Sequence, residues 1–403
     1  MRVLVLTPKF VWPLTGGAEI RNFNLLRETA RHHDVFLVCF LERPEMRDHY
    51  PAVQPYCRKI IGLDLPRPKW RKAVNAIRSS LSSRPFMMLE CDRANMRRVI
   101  RQVIQEEQID VIHAHFLHMS QYVSLKGGAA FVYDVHNLDH ILWRRFAEVQ
   151  TNLLFRSYVR AQCRKFAHWE RRVALASETV VTLSDTDRNE YLQIAAEADI
   201  TTVPNGADTE FFQPGNRETE PFSIVYTAQF GWPPQDDAAL YFHNEILPLI
   251  RRQCPDAKLY LVGKTPPRMI QRLASDRVIV TGFVEDIRDY VGRAAAVVMP
   301  LRVGAGTKHR IYQALSMGKA VISTTVGAEG IGLRHGDSAL IGDSPVEFAA
   351  HVVRVLTDSN LRERLGVNGR NLVVQNYNWQ TNYAKLDRVF QKAVEKRRQT
   401  THV

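Results

Sequence analysis

The residues best suited to chemistry lie within 296–330, AVVMPLRVGAGTKHRIYQALSMGKAVISTTVGAEG. Gly304 and Gly306 flank a small alanine, so a ligand can approach the backbone without meeting bulky side chains. Thr307 suits the N-cap of a helix over 308–317, which Gly318 then ends. A helix N-terminus offers unpaired N–H groups and the positive end of a dipole, which favour an anion, most often phosphate. Arg302, Lys308 and Arg310 bring cations to this region. A helix N-terminus gains no stability from cations, and such a local conflict points to function.

Two further groups invite chemistry. Gly16-Gly17 follows the first apolar run and precedes a helical pattern, a position where the backbone can meet a phosphate or a sugar. His113, His115 and His118 lie close together, and His136 follows in YDVHN. The H-x-H spacing puts two imidazoles on one strand face, as a zinc site would need. No cysteine or carboxylate motif of metal spacing accompanies them, so no metal is expected.

The elements that must position these groups follow from the apolar pattern. Continuous apolar runs at 3–7, 35–40, 111–114, 131–135 and 180–183 predict strands. Helical patterns separate them at 18–32, 96–107 and, as one long stretch, 141–176. Strands that are apolar throughout, alternating with helices, imply a parallel sheet covered on both faces. The segment 203–216, VPNGADTEFFQPGN, breaks the pattern with Pro and Asn-Gly turns and reads as a linker. The scheme then repeats, with strands at 223–227, 258–262, 278–281 and 320–323 and helices at 237–252 and 345–357. The expected fold is α/β, with two doubly wound domains that bind ligands at the carboxyl ends of their strands.

These pieces, in this order, resemble a known family. TPKFVWPLTGGAEIRNFNLLRETARHHDV, DVIHAH, YDVHNLDHILWRR, VVTLSDTDRNEYL, VPNGADTEFF, VTGFVEDIRDYV and PLRVGAGTKHRIYQALSMGKAVISTTVGAEGI are similar to segments of the retaining glycosyltransferases of family 4. The likeness is strongest to the branch associated with exopolysaccharides, and it covers nearly the whole chain. It implies the GT-B fold, two Rossmann-like domains facing across a cleft. Residues 1–205 would form the acceptor side, with a C-terminal helix over 380–403 packing back on it, and 206–379 would bind the nucleotide sugar. By the resemblance His136, Lys308 and Arg310 are catalytic. Gly16, Gly17, Arg302, Gly304, Gly306, Thr307 and Gln313 hold the donor, and Glu19, Arg21 and His115 line the acceptor side. Neither metal nor cofactor is implied beyond the nucleotide-diphosphate sugar itself.

The chain also departs from the family pattern. The glutamate pair of most relatives falls at Ala305 and Gln313, and the Gly-Arg…Lys phosphate pair is missing near 228–237. Gln313 can bond a ribose hydroxyl, but as a neutral amide. The leading expectation is sugar transfer, with retention, to a glycan or lipid-linked acceptor. A nucleotide-sugar epimerase and a non-catalytic GT-B partner subunit are the alternatives.

Composition bounds the partners. The 403 residues carry a net charge of +12, which admits nucleic acid, anionic lipid or an acidic substrate. The excess is concentrated at 67–101 and 144–172, with Trp70, Trp143 and Trp169 among the cations. No helix-turn-helix, zinc-finger or RNP sequence accompanies them, so nucleic acid is not expected. A solvated basic face and an anionic membrane surface both remain open. The N-terminus does not read as a signal peptide, and no apolar run approaches the ~20 residues of a spanning helix. Five scattered cysteines without a C-x-x-C pair suit reduced thiols. The expected location is cytoplasmic, peripheral on the inner membrane face if the basic clusters bind lipid.

Overall fold

In the computed structural model, which describes residues 1–66, 68–148, 150, 152–304 and 308–401, chain contacts divide the protein into two units. The first comprises Met1–Pro204 and the C-terminal segment from Asn382; the second is Asn205–Thr381.

The first unit is built on a seven-stranded sheet. Its strands are β1 (Arg2–Thr7), β2 (Asp34–Leu41), β3 (Lys59–Asp64), β4 (Val111–His115), β5 (Ala130–Asp134), β6 (Thr179–Thr182) and β7 (Ile200–Thr202), in the order β3-β2-β1-β4-β5-β6-β7. The second unit has β8 (Ser223–Thr227), β9 (Lys258–Val262), β10 (Val278–Gly282), β11 (Ala296–Met299), β12 (Val321–Ser323) and β13 (Leu340–Ile341), in the order β10-β9-β8-β11-β12-β13. Every named strand pairs in parallel. The α/β reading therefore holds, for the reason given by the sequence: strands apolar on both faces need helices on both faces.

The core of the first unit gathers Leu4, Leu6, Val38, Phe40, Ile112 and Phe131 from the central strands. That of the second gathers Ile224, Tyr226, Leu259, Leu261, Val298 and Phe348. Each such side chain contributes about 1.5–3 kcal/mol by leaving water. All five cysteines are free thiols.

Seven helices carry the side chains that bear on function. They are α1 (Gly17–Thr29), α2 (Lys69–Ser80), α3 (Asp139–Glu148), α4 (Leu153–Ala176), α5 (Pro233–Tyr241), α6 (His309–Ser316) and α7 (Trp379–Thr401). The expected single stretch over 141–176 is two helices, because Asn152 caps a new one: its Oδ1 accepts the Phe155 N–H at 3.0 Å. The helix expected over 237–252 is also interrupted. A wide π turn at Phe242–Ile246 separates α5 from Leu247–Gln253, where Pro248 has no N–H to donate. From Asn382 onward α7 packs within the first unit, through Asp387 Oδ1 at 2.7 Å from His33 Nε2 and Lys392 Nζ at 2.8 Å from Asp199 Oδ2. Among the described residues no helix is long and apolar enough to cross a membrane.

Candidate active site

In the first unit the chemistry collects where β4 and β5 end. The two strands pair with His115 opposite Asp134. Alternate residues share a strand face, which brings the rings of His113 and His115 to 4.1 Å between centroids. His113 Nε2 lies 3.1 Å from Asp134 Oδ2. A carboxylate only accepts, so His113 is the donor. Arg21, projecting from α1, grips the same carboxylate with Nε at 3.2 Å from Oδ1 and Nη2 at 3.0 Å from Oδ2. It also donates to the carbonyls of Val203 at 3.0 Å and Pro204 at 3.2 Å.

Neither Arg21 nor Asp134 exposes any of its side chain. Burial alone would raise the Asp134 carboxyl. The Arg21 charge and the His113 hydrogen bond oppose this and hold it well below the usual carboxylate range. Burial, with His113 alongside, pushes the His115 imidazole well below its ordinary value despite the pull of Asp134. His115 is therefore neutral near pH 7.

His136 sits just past β5, its Nε2 3.0 Å from His115 Nδ1. One of these nitrogens must donate and the other accept, which fixes the tautomers of both rings relative to each other. Phe116 stacks on the His136 ring, with centroids 3.9 Å apart and planes at 18°. Phe116 adopts φ 66° and ψ 152°, a region almost reserved for glycine. Such backbone strain costs about 1–3 kcal/mol and collects at functional sites.

His113, His115 and Asp134 are close enough to share a metal ion, with ligand atoms within 4.8 Å of one another. Both Asp134 oxygens already face the Arg21 guanidinium, however, so a cation there would meet a fixed positive charge. The donor set reads better as a hydrogen-bonded chain running from Arg21 through Asp134 to His113, with His115 and His136 paired beside it.

The first turn of α1 has Gly16 at its N-cap with no side-chain cap bond. Gly16 is buried, Gly17 exposed and Glu19 half-buried. Glu19 complements the positive end of the helix.

In the second unit α6 carries the cations. Its N-cap is Lys308, not Thr307 as expected; Ala305, Gly306 and Thr307 lie outside the described residues. A Cβ on Gly304 would meet Lys308 Cε and Nζ at 3.4 Å, so the lysine lies across the glycine. Arg310 is half-buried and donates from Nη1 to Gln313 Oε1 at 3.0 Å. Burial lowers its guanidinium from the ordinary value, yet an arginine remains charged. Among the described residues no carboxylate pairs with it. Gly327 completes the frame. A Cβ there would lie 2.9 Å from the Met299 carbonyl and closer still to Ser323 Oγ, so only glycine fits against the ends of β11 and β12.

Three of the residues expected at the site are engaged within the chain. Arg21 is fully buried, and its donors go to Asp134, Val203 and Pro204. His115, with a side chain 1% exposed, is hydrogen-bonded to His136. Arg302 is expected to hold the donor, but its fork is taken by Asp237 of α5, at 2.6 and 3.1 Å, with its guanidinium 4.3 Å from the Tyr241 ring centroid. Its charge is already balanced. Sequence reasoning misses Asp134 and Asp237 as partners. Only Asp134 has a signal: it lies two residues before His136, at the end of an apolar run.

Comparison with known proteins decides the family. Residues 15–211 match the model of glycosyltransferase family 4, and residues 221–358 that of glycosyl transferases group 1. The chain belongs to glycosyltransferase family 4. Among its relatives in this family is the MMP alpha-(1->4)-mannosyltransferase of Mycolicibacterium hassiacum, 24% identical over 94% of this chain and 95% of that protein. An uncharacterized protein of the cps region of Klebsiella pneumoniae is 21% identical over 38% of this chain, which spans only 42% of that protein's length. Solved structures confirm the GT-B fold of the chain. Sucrose-phosphate synthase from Thermosynechococcus elongatus superposes with a TM-score of 0.72 at 17% identity, covering 97% of this chain and 99% of that one. Anabaena HepE in complex with UDP gives 0.66 at 14% identity, covering 97% and 100%.

Proposed function

We propose that this protein transfers a sugar from a nucleotide-diphosphate sugar to a glycan or a lipid-linked acceptor, with retention of anomeric configuration. The observation that carries this reading is α6, which begins with Lys308 against Gly304 and holds Arg310 half-buried with no carboxylate partner among the described residues. Cations placed against a helix dipole serve an anion better than they serve the fold. Family membership and the UDP bound by HepE support a nucleotide diphosphate as that anion.

The step is a front-face displacement. The bond from the anomeric carbon to the diphosphate oxygen breaks, and the diphosphate leaves with the electron pair. The acceptor hydroxyl forms the new bond on the same face, and its proton passes to the departing phosphate oxygen. Lys308, Arg310 and the helix N-terminus stabilise the charge that develops on the diphosphate, and no metal is required for that charge. Gly16 and Gly17 admit the donor to the backbone, Gly304, Gly306 and Thr307 take the donor phosphates, Gln313 takes the ribose, and Glu19 serves the acceptor. His136, hydrogen-bonded to His115, contacts the donor sugar. The acceptor is met in the cytoplasm, at an anionic membrane surface.

The test is calorimetry against UDP-, GDP- and dTDP-sugars, followed by acceptor-dependent release of the nucleoside diphosphate from the donor that binds. Binding of one nucleotide class with acceptor-dependent release is expected. No binding to any of them would overturn the reading, and conversion of the donor without an acceptor would indicate an epimerase.

A further inference from the structure

Helix α2 is inside out. Its Trp70, Val74 and Ile77, with Leu81 at its C-cap, are all exposed, Trp70 by 66% and Leu81 by 85%. At about 100° per residue these four fall within an arc of about 60°, a single stripe. The opposite face carries Asn75 and Ser79, and both are buried. Ser79 Oγ lies 3.1 Å from Gln162 Oε1 of α4, and Lys165 Nζ donates to the Ser79 carbonyl. A helix of a soluble protein normally buries its apolar face and shows water its polar one. The start of α4 repeats the anomaly: Leu153, Leu154 and Phe155 are exposed in its first turn, Leu154 by 86%.

Charge identifies what covers this face. The acid-free stretches 65–89 and 149–169 contain both apolar groups. Arg78, Arg144, Arg160 and Arg164 are exposed, and none forms an ion pair among the described residues. A second copy of the chain docking by the same patch would bring arginine against arginine, since a two-fold interface pairs a surface with itself. An anionic bilayer matches both halves of the pattern. Its headgroups attract the arginines, while its interface accepts Trp70 and the aliphatic side chains. We infer that α2 and the first turn of α4 form the face by which this protein docks on an anionic lipid bilayer. The inference rests on the membrane-borne part of the proposed function, not on the chemistry of transfer.

The experiment is vesicle co-sedimentation of the full chain, with phosphatidylcholine alone or mixed with phosphatidylglycerol. The wild type should pellet with the mixed vesicles, stay in solution with the neutral ones, and be released as salt rises. Trp70→Ser with Ile77→Ser should weaken anionic-vesicle binding by about tenfold or more, as should Arg78→Glu with Arg160→Glu. The vesicle-induced blue shift of tryptophan emission should be smaller in Trp70→Phe. The substituted groups are exposed, so melting temperature and nucleotide-sugar affinity should stay at wild-type values. Equal pelleting of wild type and variants would overturn the assignment of this face. So would equal binding to both vesicle types, or a dimer that the variants dissociate. If vesicle binding fails while nucleotide-sugar binding persists, the docking face falls and the transfer reading stands; the reverse outcome separates them the other way.

Discussion

The ends of β4 and β5 and the start of α6 both concentrate charge at the carboxyl end of a parallel sheet, yet they handle it in opposite ways. In the first unit the Arg21 charge is met by Asp134, His115 is kept neutral, and the polar groups bond to one another out of reach of water. In the second unit Lys308 and Arg310 stand at the positive end of a helix, and among the described residues the partner of Arg310 is a neutral amide. A balanced buried network holds geometry. A guanidinium that meets an amide in place of a carboxylate keeps its charge for an anion. The contrast separates residues that shape a site from residues that act in it, although both kinds are polar and both sit at strand ends.

The sharpest way to break the contrast is Arg21→Met. It leaves Asp134 buried without its counter-charge, and removing one partner of a buried pair costs about 3–5 kcal/mol. Urea denaturation should show that loss, and a midpoint unchanged from wild type would refute the structural role. Lys308→Ala with Arg310→Ala should do the reverse. Turnover should fall by about 100- to 1,000-fold, the effect of losing a transition-state contact, while the melting temperature barely moves. Unchanged turnover would remove these cations from the chemistry.

Phe116 offers a comparison within the first region. Both Phe116→Ala and Phe116→Gly lose the ring over His136, but only glycine tolerates φ 66°. Phe116→Gly should be the more stable of the two by about 1–3 kcal/mol, in contrast to the usual order; an alanine variant as stable as the glycine one would mean no strain is stored there. Acid should probe the same network. The folded pKa of His115 lies below its unfolded value near 6.5, so its contribution to stability is complete above about pH 6.5 and is lost as pH falls toward the folded value. Melting temperature should decline below about pH 6.5, and His115→Phe should flatten that decline. The smallest effect is expected from Gln313→Glu, which converts the 3.0 Å bond to Arg310 into an ion pair. Turnover should drop by less than about tenfold, about 1.4 kcal/mol, with nucleotide affinity kept. A rise in turnover would show that Arg310 has no need of its free charge.

Strands are the most legible part of the fold. β8 and β9 fall where their apolar runs fall, and the parallel sheets follow from strands with no polar face. β3 and β7 are not anticipated; each is an edge strand, less deeply covered, and its apolar pattern is weaker. α2 is hidden for a different reason. Its apolar period is present, but it lies among arginines and lysines, and the face it marks points to solvent rather than to a core. The cations of α6 are visible as a conflict with the helix dipole. The role of Arg21 is not, because Asp134 is 113 residues away and only the sheet brings them together. The true partner of Arg302 is concealed likewise: nothing near it in the chain announces Asp237 on α5.

Arg21 has one more property. The carbonyls it holds belong to Val203 and Pro204, the last residues before the chain leaves the first unit for Asn205. A single guanidinium thus clamps the point of exit to the carboxylate that orders His113. The end of the first unit and the order of the histidine network therefore depend on the same side chain. Losing that one guanidinium would release the exit carbonyls and the Asp134 carboxylate together.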